Sequence, residues 1–105
     1  RLQTLTVVPT ILSLQDQLEN IRHGEIERVR GRLGKLSPEQ ELAIDALTHG
    51  IVNKILHTPI RTLKSAAKNT EVTTMIDVFR RIFNLTEQKA DPETLEYSDN
   101  AGAED

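Results

Sequence analysis

The sequence predicts an all-α domain, a small bundle of about four helices, and three observations carry that expectation. Apolar residues recur at spacings of three, four and seven along most of the chain. Proline follows residues suited to capping at Ser37-Pro38 and Thr58-Pro59, the punctuation of a helix start. No alternating β-branched run bounded by turns reads as a strand.

The first helix is expected from about Pro9 to Leu33, with Ile11, Leu14, Leu18, Ile21, Val29, Leu33 and Leu36 as its apolar stripe. Gly24 and Gly31 cost it about 1 kcal/mol each relative to alanine and read as an exposed stretch. Gly34 suits its closure. Residues 1–8 are either an extended lead-in or the end of an earlier helix that Pro9 interrupts. Ser37 and Gln40 form a capping box around Pro38, opening a second helix to about Leu56 with Ile44, Leu47, Ile51, Val52, Ile55 and Leu56. Thr58 and Pro59 are expected to end it and to start a short third helix to Lys68, with Ile60, Leu63 and Ala67 inward. Asn69 and Thr70 offer a cap for a fourth, Glu71 to Asn84, carrying Val72, Met75, Ile76, Phe79, Ile82 and Phe83. Residues 1–85 are thus the helical domain, and the acidic, apolar-poor residues 86–105 are expected to be disordered.

Composition narrows the functions available. The chain starts at Arg1 and has Met75 as its one methionine, which reads as a piece of a longer protein. Its net charge of −3 is split: residues 86–105 hold seven acids against Lys89, while residues 1–85 are +3, with 12 basic and nine acidic side chains. Neither part carries the dense basic field of a dedicated nucleic-acid binder. Aromatics are limited to Phe79, Phe83 and Tyr97, so a base-stacking platform is unavailable. The absence of cysteine removes disulfides, thiolate metal ligands and thiol nucleophiles, and fits a cytoplasmic protein. No apolar run approaches the roughly 18 residues that span a bilayer, and no signal-peptide pattern is visible.

The polar constellations are weak. His49 and His57, eight residues apart, would sit about 12 Å apart on a helix, too far to share one ion, so no metal site is expected. Asn53 and His57 read instead as a hydrogen-bonded polar junction at the break before Pro59. Arg28, Arg32 and Lys35 share one side of the first helix; they read first as a solvated face balanced by Glu25 and Glu27, and second as a weak contact for RNA phosphates. No G-x-S-x-G, G-x-G-x-x-G or P-loop motif occurs, so neither catalytic nor cofactor-binding residues are assigned. About 80 ordered residues with two aromatics make a thin core. The first helix's stripe is also longer than short helices can cover. Pairing with a second copy is the sensible way to bury what remains. Leu14, Leu18 and Ile21 of the first helix and Leu47, Ile51 and Ile55 of the second are the expected interface.

Two segments carry a family resemblance: VVPTILSLQDQLENIRHGEIERV at residues 7–29 and LSPEQELAIDALTHGIVNKILHTPIRTLK at residues 36–64. The run from Val52 to Pro59 is the most specific part. Together, over about residues 1–85, they resemble the C-terminal dimerisation domain of glutamyl-tRNA reductases. That resemblance implies a homodimer, V-shaped in the family. It also implies a parent enzyme that uses NADPH to reduce glutamyl-tRNA(Glu) to glutamate-1-semialdehyde in tetrapyrrole (porphyrin, heme) biosynthesis. The family's nucleophilic cysteine and its nicotinamide-binding domain match no position here, so this fragment is expected to hold the dimer together without catalysing anything. The alternative reading is a free-standing helical RNA- or protein-binding module.

Overall fold

Three helices, not four, make up the described part of the chain: α1 from Leu2 to Leu33, α2 from Pro38 to Ala66 and α3 from Val72 to Ile82. The structure is a computed structural model and describes residues 2–85, with side chains from Val7 onward; the tail expected to be disordered lies outside the described residues. The all-α class stands, and no strand occurs among the described residues.

The difference in helix count comes from the prolines. Pro9 lies inside α1 and Pro59 inside α2. An interior proline removes one i→i−4 hydrogen bond and costs about 3 kcal/mol. Packing on both sides of each proline offsets that cost. Val7 before Pro9 and Ile11 after it enter one apolar cluster with Leu63, while Leu56 before Pro59 packs on Leu14. A break at either proline would unseat one of each pair. The expected second and third helices are therefore one helix, and residues 2–8 belong to α1 rather than to an extended lead-in.

The capping signals hold up better. Gln40 N–H donates to Ser37 Oγ at 3.1 Å and Ser37 N–H to Gln40 Oε1 at 2.9 Å, a complete capping box at the start of α2. Gly34, at φ 72°, donates its N–H to Arg30 O at 3.2 Å and closes α1. At α3 the assignment shifts: Glu71 is the N-cap residue and makes no side-chain cap bond, while Asn69 Oδ1 accepts from Glu71 N–H at 2.9 Å. Asn84, at φ 52°, ends α3 in a Schellman motif, with Leu85 N–H donating to Arg80 O at 2.9 Å and Asn84 N–H to Arg81 O at 3.3 Å. That reversal aims Leu85 into the cluster of Leu14, Val52 and Leu56.

α1 and α2 form an antiparallel hairpin. Arg30 meets Glu41 near its turn, Arg22 meets Asp45 further along, and Leu14 meets Val52 and Leu56 beyond that. α3 folds back over the far end, setting Val72 and Phe79 against Val7, Ile11, Leu63 and Ala67. The Phe79 and Phe83 rings stand 6.0 Å apart at 44°, and Gln17 Nε2 donates to Phe83 O. At 1.5 Å per residue α1 is about 48 Å long and α3 about 17 Å. One end of the hairpin is thus a three-helix bundle and the other, residues 19–51, a bare two-helix arm.

Candidate self-association surface

The arm is joined by charge. Arg22 stands in register with Leu14 and Leu18 on the buried side of α1, and only 8 % of it is exposed. Its Nη1 donates to Asp45 Oδ1 at 2.7 Å and to Thr48 Oγ1 at 3.3 Å, while Nε and Nη2 grip Glu19 at 3.0 and 2.9 Å. This fork reaches across from α1 to α2 and also fixes the helix's own acid. Its hydrogen bonds hold the Glu19 and Asp45 carboxyls below their ordinary range and push the guanidinium's own pKa further up. Nearer the turn, Arg30 bridges Glu27 at 2.7 Å and Glu41 at 3.0 Å. By sequence Arg22 groups with Arg30 near the basic side of Arg28, Arg32 and Lys35; the signal for its burial is a charged residue in apolar register with an acid, Glu19, three positions before it.

Apolar side chains of the arm, and of α2 just beyond it, stay in the open. Leu47 is 65 % exposed, Ile51 51 %, Ile55 50 % and, on α1, Ile21 53 %. With spacings of four, Leu47, Ile51 and Ile55 form one stripe that continues through Thr58 and Thr62. Thr58 and Thr62 share a groove with Met75 of α3, and Ile21 shares another with Asn84 and Leu85 at the end of α3. This stripe and Ile21 therefore border the face of the hairpin that α3 covers, beyond the reach of α3. Of the six side chains expected at an interface, Leu14 is fully buried within the chain, packed against Val52 and Leu56, and offers no free surface. Leu18 is half-buried beside that cluster. The structure leaves Ile21, Leu47, Ile51 and Ile55 uncovered.

The other singled-out residues fall elsewhere. Asn53 and His57 are exposed and, because α2 runs on through Pro59, no helix break exists for them to bridge; neither hydrogen-bonds to another described side chain. Arg28 is paired with Glu25 at 2.9 Å, which lowers the Glu25 pKa, while Arg32 and Lys35 are exposed. Among the described residues no group of three or more His, Asp or Glu side chains could hold a metal ion, and no helix is long and apolar enough to cross a membrane.

An all-helical module with one apolar face covered only in part is the class that this geometry defines. The chain belongs to the glutamyl-tRNAGlu reductase dimerisation-domain family, whose model matches residues 1–85. It is 66 % identical over 95 residues to glutamyl-tRNA reductase 2 of Koribacter versatilis, covering 90 % of this chain and 22 % of that protein. The glutamyl-tRNA reductase of Solibacter usitatus is 46 % identical over 81 % of this chain and 20 % of its own length. That of Synechococcus elongatus is 40 % identical over 82 % of this chain and 20 % of its own. The chain thus spans about a fifth of the length of the curated relatives it matches. No solved structure matches it significantly.

Proposed function

We propose that this chain pairs with a second copy through the uncovered face of its arm, and that in a full-length glutamyl-tRNA reductase this pairing holds the enzyme's two halves together. The observation that carries the reading is the row of half-exposed Ile21, Leu47, Ile51 and Ile55, continuous with the face that α3 covers in its own chain. Scattered apolar residues on a surface are ordinary, but a row at helical spacing beside a covered core is the signature of an interface. Leu18 would rim the contact, and Leu14 would support it from inside.

In the parent, NADPH would reduce glutamyl-tRNA(Glu) to glutamate-1-semialdehyde for tetrapyrrole synthesis in the cytoplasm, with the nucleophile and the cofactor site on other domains. This chain has no cysteine and no glycine-rich phosphate loop, which supports a role in assembly rather than in chemistry. Sedimentation equilibrium of the chain at tens of micromolar tests the reading. A dimer is expected; a monomer across that range would overturn it. Calorimetry with NADPH should give no saturable heat, and saturable binding would overturn the non-catalytic assignment.

A further inference from the structure

The side of α2 that borders this uncovered face differs in character, although Arg61 and Ser65 also line the groove of Thr58, Thr62 and Met75. Between Ala46 and Thr70 the chain contains no aspartate or glutamate, yet it carries Lys54, Arg61, Lys64 and Lys68. The spacings of seven, three and four keep these on one side of α2 and its following turn, with His57 among them. Asn53, His57, Arg61 and Lys64 line one shallow groove beside Gln15 of α1, with Leu56 and Ile60 at its floor. None of the four cations pairs with an acid among the described residues, and all four are exposed. On α1 the opposite holds, for Arg22, Arg28 and Arg30 each grip one or two carboxylates. The charge of Arg22, Arg28 and Arg30 is balanced within the chain, whereas the four cations from Lys54 to Lys68, like Arg32 near the end of α1, meet no acid among the described residues.

We propose that this stripe, Lys54, Arg61, Lys64 and Lys68, is a contact for the phosphate backbone of an RNA, a reading that rests on the parent's substrate being a tRNA. Fourteen residues of helical rise give the stripe a length of about 21 Å, enough to meet several successive phosphates. The residues between the cations are Asn53, His57 and Ser65, polar groups that hydrogen-bond phosphate and sugar. The apolar residues of the groove, Leu56 and Ile60, are packed on the chain's own clusters, so the patch offers a protein partner no aromatic and no free apolar anchor. With no aromatic side chain on α2 the contact is independent of base sequence and serves to position the RNA. The proposed contact thus lies on α2 and its following turn, not on Arg28, Arg32 and Lys35, which read first as a solvated face and only second as a weak RNA contact.

The test is binding of unfractionated tRNA by the full 105-residue chain across a salt series, with light scattering on the same samples. Four phosphate contacts give a slope of log K against log salt near −3, from about −0.7 to −0.9 per contact. The variant K54Q/R61Q/K64Q/K68Q should lose most of that slope and at least tenfold in affinity at low salt while remaining a helical dimer. The control R28Q/R32Q/K35Q should keep most of both. Absence of tRNA binding by the unaltered chain, or loss in the control but not in the α2 variant, would overturn the proposal. Equal binding of polyglutamate would assign the stripe to an acidic protein and overturn it too. Because the dimer is read separately, failure here leaves the self-association reading standing.

Discussion

The two ends of the α1–α2 hairpin solve the same packing problem differently. At the three-helix end, α3 closes the groove, and Leu14 and Leu63 reach complete burial. Along the arm the same two helices run on with no third element. There the joining is done by Arg22 and Arg30, and the apolar residues stay half in water. One end is finished within the chain; the other, on the proposed reading, is finished when a second copy supplies the third layer. Stability should therefore reside at the α3 end and association at the arm, and substitutions at the two ends should separate the two properties.

The largest effect on stability is expected at the finished end. Leu63→Ala removes a fully buried side chain from the cluster that unites all three helices and should cost about 2–5 kcal/mol. Urea unfolding followed by circular dichroism measures it. A loss under 1 kcal/mol would mean that this cluster is not the core. Among the arm's apolar residues Leu42, 71 % exposed, makes the contrast: Leu42→Ala should leave the urea midpoint nearly unchanged.

A smaller effect separates the ends by pH. Glu19 and Asp45 have carboxyl pKa values lowered in the folded chain from ordinary values of 4.5 and 3.8, chiefly by hydrogen bonds from Arg22. A lowered folded pKa gives stability that is fully present above the unfolded value and is lost as pH falls through the folded one. Thermal midpoints should therefore be flat from neutral pH down to about 5 and fall below that. Arg22→Met should start from a lower midpoint and show a shallower decline, because its two carboxylates no longer have a partner to lose. An equally steep decline in the variant would place the acid sensitivity elsewhere.

How much of this was legible in the sequence depends on which force decided each feature. Local chemistry was readable: Ser37 with Gln40, Gly34 at the end of α1, and the amphipathic run from Val72 to Phe83 all stand where their side chains indicated. Features that depend on distant packing were misread. Thr58-Pro59 has the letters of a helix boundary, but Leu56 and Leu63 on either side are held by α1, and tertiary contacts overrode the local signal. Leu14 has the same 3–4 spacing as Ile21, and only the partners brought from elsewhere, Val52 and Leu56 of α2 and Leu85 after α3, decide that one is buried and the other open. The burial of Arg22 was not legible because two of its partners, Asp45 and Thr48, come from the other helix of the hairpin.

A small and local effect is expected at the turn joining α1 and α2. Ser37→Ala removes the acceptor for Gln40 N–H and should cost about 1 kcal/mol. Because the capping box lies at the tip of the arm, the loss should appear in amide exchange of α2's first turn before it appears in global unfolding. Uniform acceleration of exchange through α3 would contradict the separation of the two ends.

The central claim, that the open stripe of the arm is where two copies meet, is tested most directly by Ile51→Asp, with the mass read by light scattering and the helix content by circular dichroism on one sample. A carboxylate there is tolerated in the free chain, where position 51 is half in water, but would be buried unpaired in the dimer at a cost of several kcal/mol. The unaltered chain should scatter at about twice its 11.8 kDa mass. The variant should keep its helices and scatter as a single copy, whereas a fully helical dimer of the variant would contradict the account.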